Sequence, residues 1–194
     1  MASYDHSTAL IVVDVQNDFA DPNGSLYVPG GEAVVPMINE EIDLARGAGA
    51  LLVFTQDWHP PSTPHFAKDG GMWPVHCVQD TWGAEFHPSL AVDGERVRKG
   101  VGGEDGYSGF TVADLQSGNE SGTGLDELLH RHQVRRLVLA GLATDYCVKA
   151  TALDGVHKAY DVEVLRAAVR AVDIQPGDGE RALREMADAG VRLA

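Results

Sequence analysis

The 194-residue sequence predicts an α/β fold, a three-layer, doubly wound and mostly parallel six-stranded sheet with helices on both faces. Three observations lead there. Short apolar runs rich in β-branched residues alternate with stretches of helical period. Those runs are apolar almost throughout, as strands covered on both faces require. Finally Asp14, Asp57, Lys99 and Cys147 stand at or just beyond the ends of four runs, where open parallel sheets collect their ligands.

Taken in order, ALIVV (9–13) reads as a buried strand ending at Asp14. Between Glu32 and Ala48, the residues Val34, Val35, Ile38, Ile42 and Ala45 recur at helical spacing. ALLVFT (50–55) is the next strand and stops just before Asp57, and RVRKG (96–100) is a weaker one. A helix is expected over Leu125–Gln133, then a strongly apolar strand, RLVLAG (136–141), that ends on Gly141. Asp145–Tyr160 has helical character, with Val148, Ala152 and Val156 along one face and Thr144 or Asp145 as N-cap. DVEVL (161–165) is a strand, Asp178–Ala189 a helix, and VRL (191–193) a closing strand. Two stretches, 56–95 and 101–123, are rich in Gly, Pro, Ser and Asp and show no regular period. Irregular stretches of that length are commonly functional, and the first holds all three Trp and four of the eight His. With no linker or internal repeat, residues 1–194 are expected to form a single domain.

At 44% hydrophobic, the chain can build a substantial core. Its formal charge of −14 repels phosphate backbones and anionic lipid, so neither nucleic acid nor membrane is expected as a partner. Two cysteines are too few for a disulfide framework. MASYDHS lacks the charged and apolar regions of a secretory leader, and no apolar run is long enough to span a bilayer. A cytoplasmic setting is the expectation. Whether the chain forms a homo-oligomer is left open.

An unpaired carboxylate after five apolar residues would be costly, so Asp14 calls for a cationic partner if buried, and Lys99 is the candidate. Cys147 falls in the first turns of a predicted helix, where thiolates are stabilised and backbone N–H groups can meet an oxyanion. A lowered thiol pKa is expected there. The competing reading is a small buried hydrophobe, which is how Cys77 is read. Asp57, His59, His65 and His76 occupy one loop region, and such a set suits one divalent transition metal, Zn²⁺ first and Fe²⁺ or Mn²⁺ next. His6, His87, His130, His132 and His157 are read as surface positions or caps.

These residues sit in segments that resemble the isochorismatase-like cysteine hydrolases, and among them the nicotinamidase (pyrazinamidase) branch. The segments are VDVQNDF (13–19), TQDWHPPSTPHF (55–66), WPVHCV (73–78), GAEFHPSL (83–90), RKG (98–100), YSGF (107–110) and GLATDYCVKAT (141–151), in family order. The resemblance implies an isochorismatase-like, Rossmann-type fold and a metal-dependent hydrolysis of nicotinamide, a step of NAD salvage, through a cysteine thioester. It implies a small-molecule partner, nicotinamide or a related pyridine or pyrazine carboxamide such as pyrazinamide. By the same resemblance Asp14, Lys99 and Cys147 match the catalytic triad, and Asp57, His59 and His76 match metal ligands. His65 matches a fourth ligand of some members. Ala143 and Cys147 match the oxyanion hole, preceded by a cis peptide at Leu142–Ala143. Phe19 and Trp73 match aromatic residues that flank the ring, and Tyr107 is counted with them among the substrate-binding residues. Ala167 departs from the pattern, where members often carry an acidic residue. Two rivals stay open: another amide or carbamoyl hydrolase of the superfamily, and a non-catalytic ligand-binding or thiol-sensing protein.

Overall fold

The structure, a computed structural model, describes residues 3–115 and 117–194. Its elements run β1 (Thr8–Val13), α1 (Asn17–Ala20), α2 (Val35–Gly47), β2 (Leu51–Asp57) and β3 (Glu95–Lys99), then β4 (Thr111–Ala113) and β5 (Glu120–Gly122). They continue with α3 (Leu125–Arg131), β6 (Arg136–Leu142), α4 (Lys149–His157), β7 (Asp161–Arg170), α5 (Asp178–Asp188) and β8 (Arg192–Leu193). Six strands form one sheet in the order β3-β2-β1-β6-β7-β8, and every adjacent pair is parallel.

The alternation of side chains along a strand divides the core in two. Ala9, Ile11 and Val13 of β1 pack with residues of α3, α4 and α5, whereas Leu10 and Val12 pack with α2. β1 is buried along its whole length, which is why its sequence shows no polar alternation. Each fully buried Val, Leu or Ile contributes about 1.5–3 kcal/mol, so this central strand anchors both layers.

From β1 the chain builds outward through β2 and β3, then returns to add β6 on the other side of β1. That reversal is a topological switch point, and it opens a crevice at the carboxyl ends of the strands. At the crevice the backbone of β6 presses on β1. A Cβ on Gly141 would lie 2.1 Å from the Val13 carbonyl oxygen, and its φ of +118° disfavours any other residue. The pairing of β6 with β7 is also irregular between Leu139 and Gly141.

Three sequence expectations are corrected. The 101–123 stretch is not wholly irregular: β4 and β5 form an antiparallel hairpin, Thr111 opposite Gly122. Its strands are three residues each and β5 is fully exposed, so no apolar period announces them. Strand β7 runs on to Arg170, because Val169 and Arg170 keep pairing with the end of β6. Neither Thr144 nor Asp145 caps a helix: residues Thr144–Val148 form a wide π-helical turn with no side-chain cap. The Asp145 carboxylate instead accepts the N–H groups of Val172 at 3.0 Å and Asp173 at 2.9 Å, tying the turn to the segment after β7. Among the described residues, no helix is long and apolar enough to cross a membrane.

Candidate active site

Four strand ends converge in the crevice. Asp14 follows β1 with a φ of +48°, a left-handed conformation that Asp tolerates better than most residues, and is wholly buried. Thr55 Oγ1, from β2, donates to Asp14 Oδ1 at 2.6 Å. Lys99, the last residue of β3, is also buried, and its Nζ lies 3.0 Å from Asp14 Oδ2. The same ammonium hydrogen-bonds Asp57 Oδ1, at the end of β2, and sits 3.6 Å from Cys147 Sγ. Reactive atoms of Asp14, Asp57 and Cys147 all lie within 4.8 Å of one another. One buried cation thus faces two carboxylates and a thiol.

The electrostatics follow from that count. Burial lowers the Lys99 pKa, but Asp14 and Asp57 outweigh it and hold the ammonium charged, well above its usual range. Burial raises the Asp57 carboxyl, yet Lys99 and then His59 bring it below the ordinary carboxylate value. At Asp14 burial prevails over Lys99, helped by the charge of Asp57, and the carboxyl is raised. Burial likewise pushes the Cys147 thiol well above its usual value; Lys99 opposes this, and Asp14 and Asp57 add to it. The lowered thiol expected from a helix start is therefore overturned. Desolvation and two nearby carboxylates outweigh the turn and the single ammonium, so the resting group is a thiol that needs a base.

Across the crevice lie His59, His65 and His76, all buried, their ligating nitrogens within 4.8 Å of one another. Asp57 Oδ2 stands 3.9 Å from His59 Nε2 and 4.0 Å from His76 Nε2, so this carboxylate is shared between Lys99 and the imidazoles. His76 Nδ1 lies 2.7 Å from the Pro74 carbonyl oxygen, which makes Nδ1 the protonated nitrogen and leaves Nε2 a lone pair. Burial lowers the His76 pKa to about 4, and a neutral imidazole is the form a metal binds. Both ring nitrogens of His59 are buried without a hydrogen-bond partner. Orphaned buried nitrogens are costly unless something completes them, and imidazoles with a carboxylate make a donor set suited to a divalent transition metal. The residues fit such an ion.

Between the two clusters lies a small cavity. Cys147 and Ala143 border it on one side, and Asp57 with the three histidines on the other. Asp14 and Lys99 are not on its wall and act on it through Cys147 and Asp57. Phe19, Trp73 and Tyr107 line it as well, so all three ring-binding candidates reach the cavity. Trp73 Nε1 donates to the Tyr107 hydroxyl at 3.0 Å. The Tyr146 ring stands edge-on to Trp73 at 5.0 Å and tilted against Tyr107 at 5.3 Å. The Leu142–Ala143 peptide is cis. Cys77, also buried, has its Sγ 3.8 Å from the Gly83 carbonyl and is not on the cavity wall.

Sequence reasoning overlooked four contributors. Tyr146 lines the cavity one residue before Cys147. Thr55 holds Asp14. Gln16 clamps the backbone of Asp57, accepting its N–H at 2.8 Å and donating to its carbonyl at 2.7 Å. Asp105 Oδ1 lies 2.9 Å from His65 Nδ1. Tyr146, Gln16 and Thr55 fall inside the quoted motifs and could have been found there; nothing local marks Asp105.

The sequence and the fold have known counterparts. The model of the isochorismatase domain matches residues 8–194. The chain belongs to the isochorismatase family. This isochorismatase-family protein is 37% identical to a nicotinamidase of Escherichia coli, across 95% of its own length and 93% of the relative's. It is 41% identical to the pyrazinamidase of Pyrococcus horikoshii, solved in complex with zinc, with a TM-score of 0.85 over 97% of this chain and 98% of that one. A protein of L. infantum solved in complex with nicotinate is 37% identical, with a TM-score of 0.89 over 100% of this chain and 95% of that one.

Proposed function

We propose that this protein is an amidohydrolase, a nicotinamidase that converts nicotinamide to nicotinate and ammonia through a thioester on Cys147, and that it also deaminates pyrazinamide. The observation that carries the reading is the pairing across one small aromatic-walled cavity. A thiol backed by a buried lysine and carboxylate faces three buried imidazoles and a second carboxylate. The near full-length relatives that bear nicotinamidase and pyrazinamidase names support the same reading.

In this reading Asp14 is the general base. Burial raises its carboxyl, which makes it a stronger base, and raises the thiol, so the proton passes from Sγ to the carboxylate as attack begins, without a standing thiolate. Lys99 stays charged and stabilises the sulfur as it becomes anionic. Sγ bonds to the carboxamide carbon, and the backbone N–H groups of Ala143 and Cys147 hold the oxyanion, each donor of this kind contributing about 3–4 kcal/mol. The C–N bond then breaks, and Asp14 returns the proton to the departing nitrogen, releasing ammonia. Next Asp14 takes a proton from water, whose oxygen attacks the thioester carbon. The C–S bond breaks, and the sulfur recovers the proton as the carboxylate product forms. Phe19, Trp73 and Tyr107 enclose the flat ring. A divalent ion held by Asp57, His59, His65 and His76, zinc by analogy with the P. horikoshii protein, would supply a Lewis-acid site for the ring nitrogen. The two free thiols suit a reducing cytoplasm.

The test is ammonia release from nicotinamide and pyrazinamide by the purified, metal-loaded protein. Release with both substrates is the expected result. No ammonia from any aromatic carboxamide would overturn the reading in favour of a ligand-binding protein.

A further inference from the structure

The three imidazoles are held in three different ways. His59 has no hydrogen-bond partner on either nitrogen, and His76 leans on a backbone carbonyl. At His65 a carboxylate comes much closer: Asp105 Oδ1 lies 2.9 Å from its Nδ1, whereas Asp57 Oδ2 stands 3.9 Å from His59 and 4.0 Å from His76. We infer that Asp105 is a positioning residue for the metal centre: by engaging His65 Nδ1 it leaves Nε2 to the ion and makes His65 a working ligand. The inference rests on the metal-binding reading given above and adds a residue to it.

Charge supports the assignment. Around Lys99 the carboxylates of Asp14 and Asp57 are already partly neutralised by one ammonium. A doubly charged ion among neutral imidazoles therefore has only half-committed Asp57 as an anionic partner. Asp105 supplies a second negative charge one imidazole away, and a carboxylate on the far nitrogen also makes that imidazole a stronger donor. Asp105 is itself firmly placed. Its backbone N–H donates to the Ala113 carbonyl at 2.8 Å, and its carbonyl accepts the Ala113 N–H at 2.6 Å, which ties it to β4. The contact requires glycine at the next position, since a Cβ on Gly106 would lie 2.7 Å from the Thr111 carbonyl oxygen. The β4–β5 hairpin, remote in sequence from the histidines, is thus the brace for one of them.

The experiment measures zinc affinity by competition with a chromophoric chelator, and the visible absorption of the Co²⁺ form, for the parent, D105A, D105N, H65A, D105A/H65A and H59A. Thermal melts of the metal-free proteins accompany them, and D105N, which preserves shape, carries the test if D105A does not fold. Zinc affinity should fall 10–100-fold in D105A and less in D105N, which keeps an accepting oxygen but not the charge. The Co²⁺ spectrum of D105A should shift toward that of H65A, and the double variant should bind no more weakly than H65A alone. Parental zinc affinity in D105N and D105A, or losses that simply multiply in the double variant, would overturn the inference. H59A separates this failure from a deeper one. Parental affinity in H59A would mean that the histidines do not hold the metal at all, whereas loss in H59A with none in D105A would sink Asp105 only.

Discussion

The two cysteines of this chain are the same group in nearly the same degree of burial, and they have opposite surroundings. Cys147 is 7% exposed and Cys77 0%, and burial raises both thiols well above their usual value. What differs is the company. Cys147 has Lys99 at 3.6 Å, the Asp14 carboxylate within reach and a cavity in front of it. Cys77 has a backbone carbonyl beside its sulfur, and its N–H is bound at 2.7 Å by Asp18, whose other oxygen takes the N–H of Ser25 at 3.0 Å. Burial alone therefore separates nothing here; a base, a cation and an open side do.

Three substitutions would break or sharpen that contrast. The largest effect is expected for Cys147→Ala, which should lower kcat on the order of 10⁶-fold while leaving the bound metal, by elemental analysis, at the parental level. Turnover near the parental rate would end the covalent mechanism. His59→Ala comes next: metal content should collapse and KM for nicotinamide rise, with the protein still folded by circular dichroism. An unchanged metal content would reject the ligand set. Smallest is Cys77→Ala, a loss of one packed sulfur that should cost about 1 kcal/mol in a denaturant titration and leave kcat within twofold. A fall in kcat comparable to that of Cys147→Ala would erase the distinction between the two thiols.

Much of this was open to a reader of the sequence, and the reasons are physical. β1, β2 and β6 are buried on both faces, so each shows an apolar run, ALIVV, LLVF and LVLA, with no polar alternation. Because parallel strands bring their carboxyl ends to one edge, the residues that follow them can be gathered on paper, and Asp14, Asp57, Lys99 and Cys147 do meet. The hairpin was illegible because its strands are short and β5 faces solvent, leaving hydrophobicity nothing to write. Asp105 was illegible for a related reason: its pairing with His65 depends on where a bridge to β4 sets one loop against another. The direction of the Cys147 shift also needed three dimensions. A helix start can be read along the chain, but desolvation and two carboxylates from other strands cannot.

The strand order also bears on how the protein comes to be active during synthesis. β1 is made first, yet its second neighbour is β6, with Val12 opposite Ala140 and Phe54 on the other side. Closing so long a loop is entropically slow, and sheets built from distant pairings fold late. Asp14 must wait on the ribosome for Cys147, and neither has its partner until the middle of the sheet is filled. The arrangement of base, cation and thiol therefore exists only once β6 has paired with β1 and the sheet is complete.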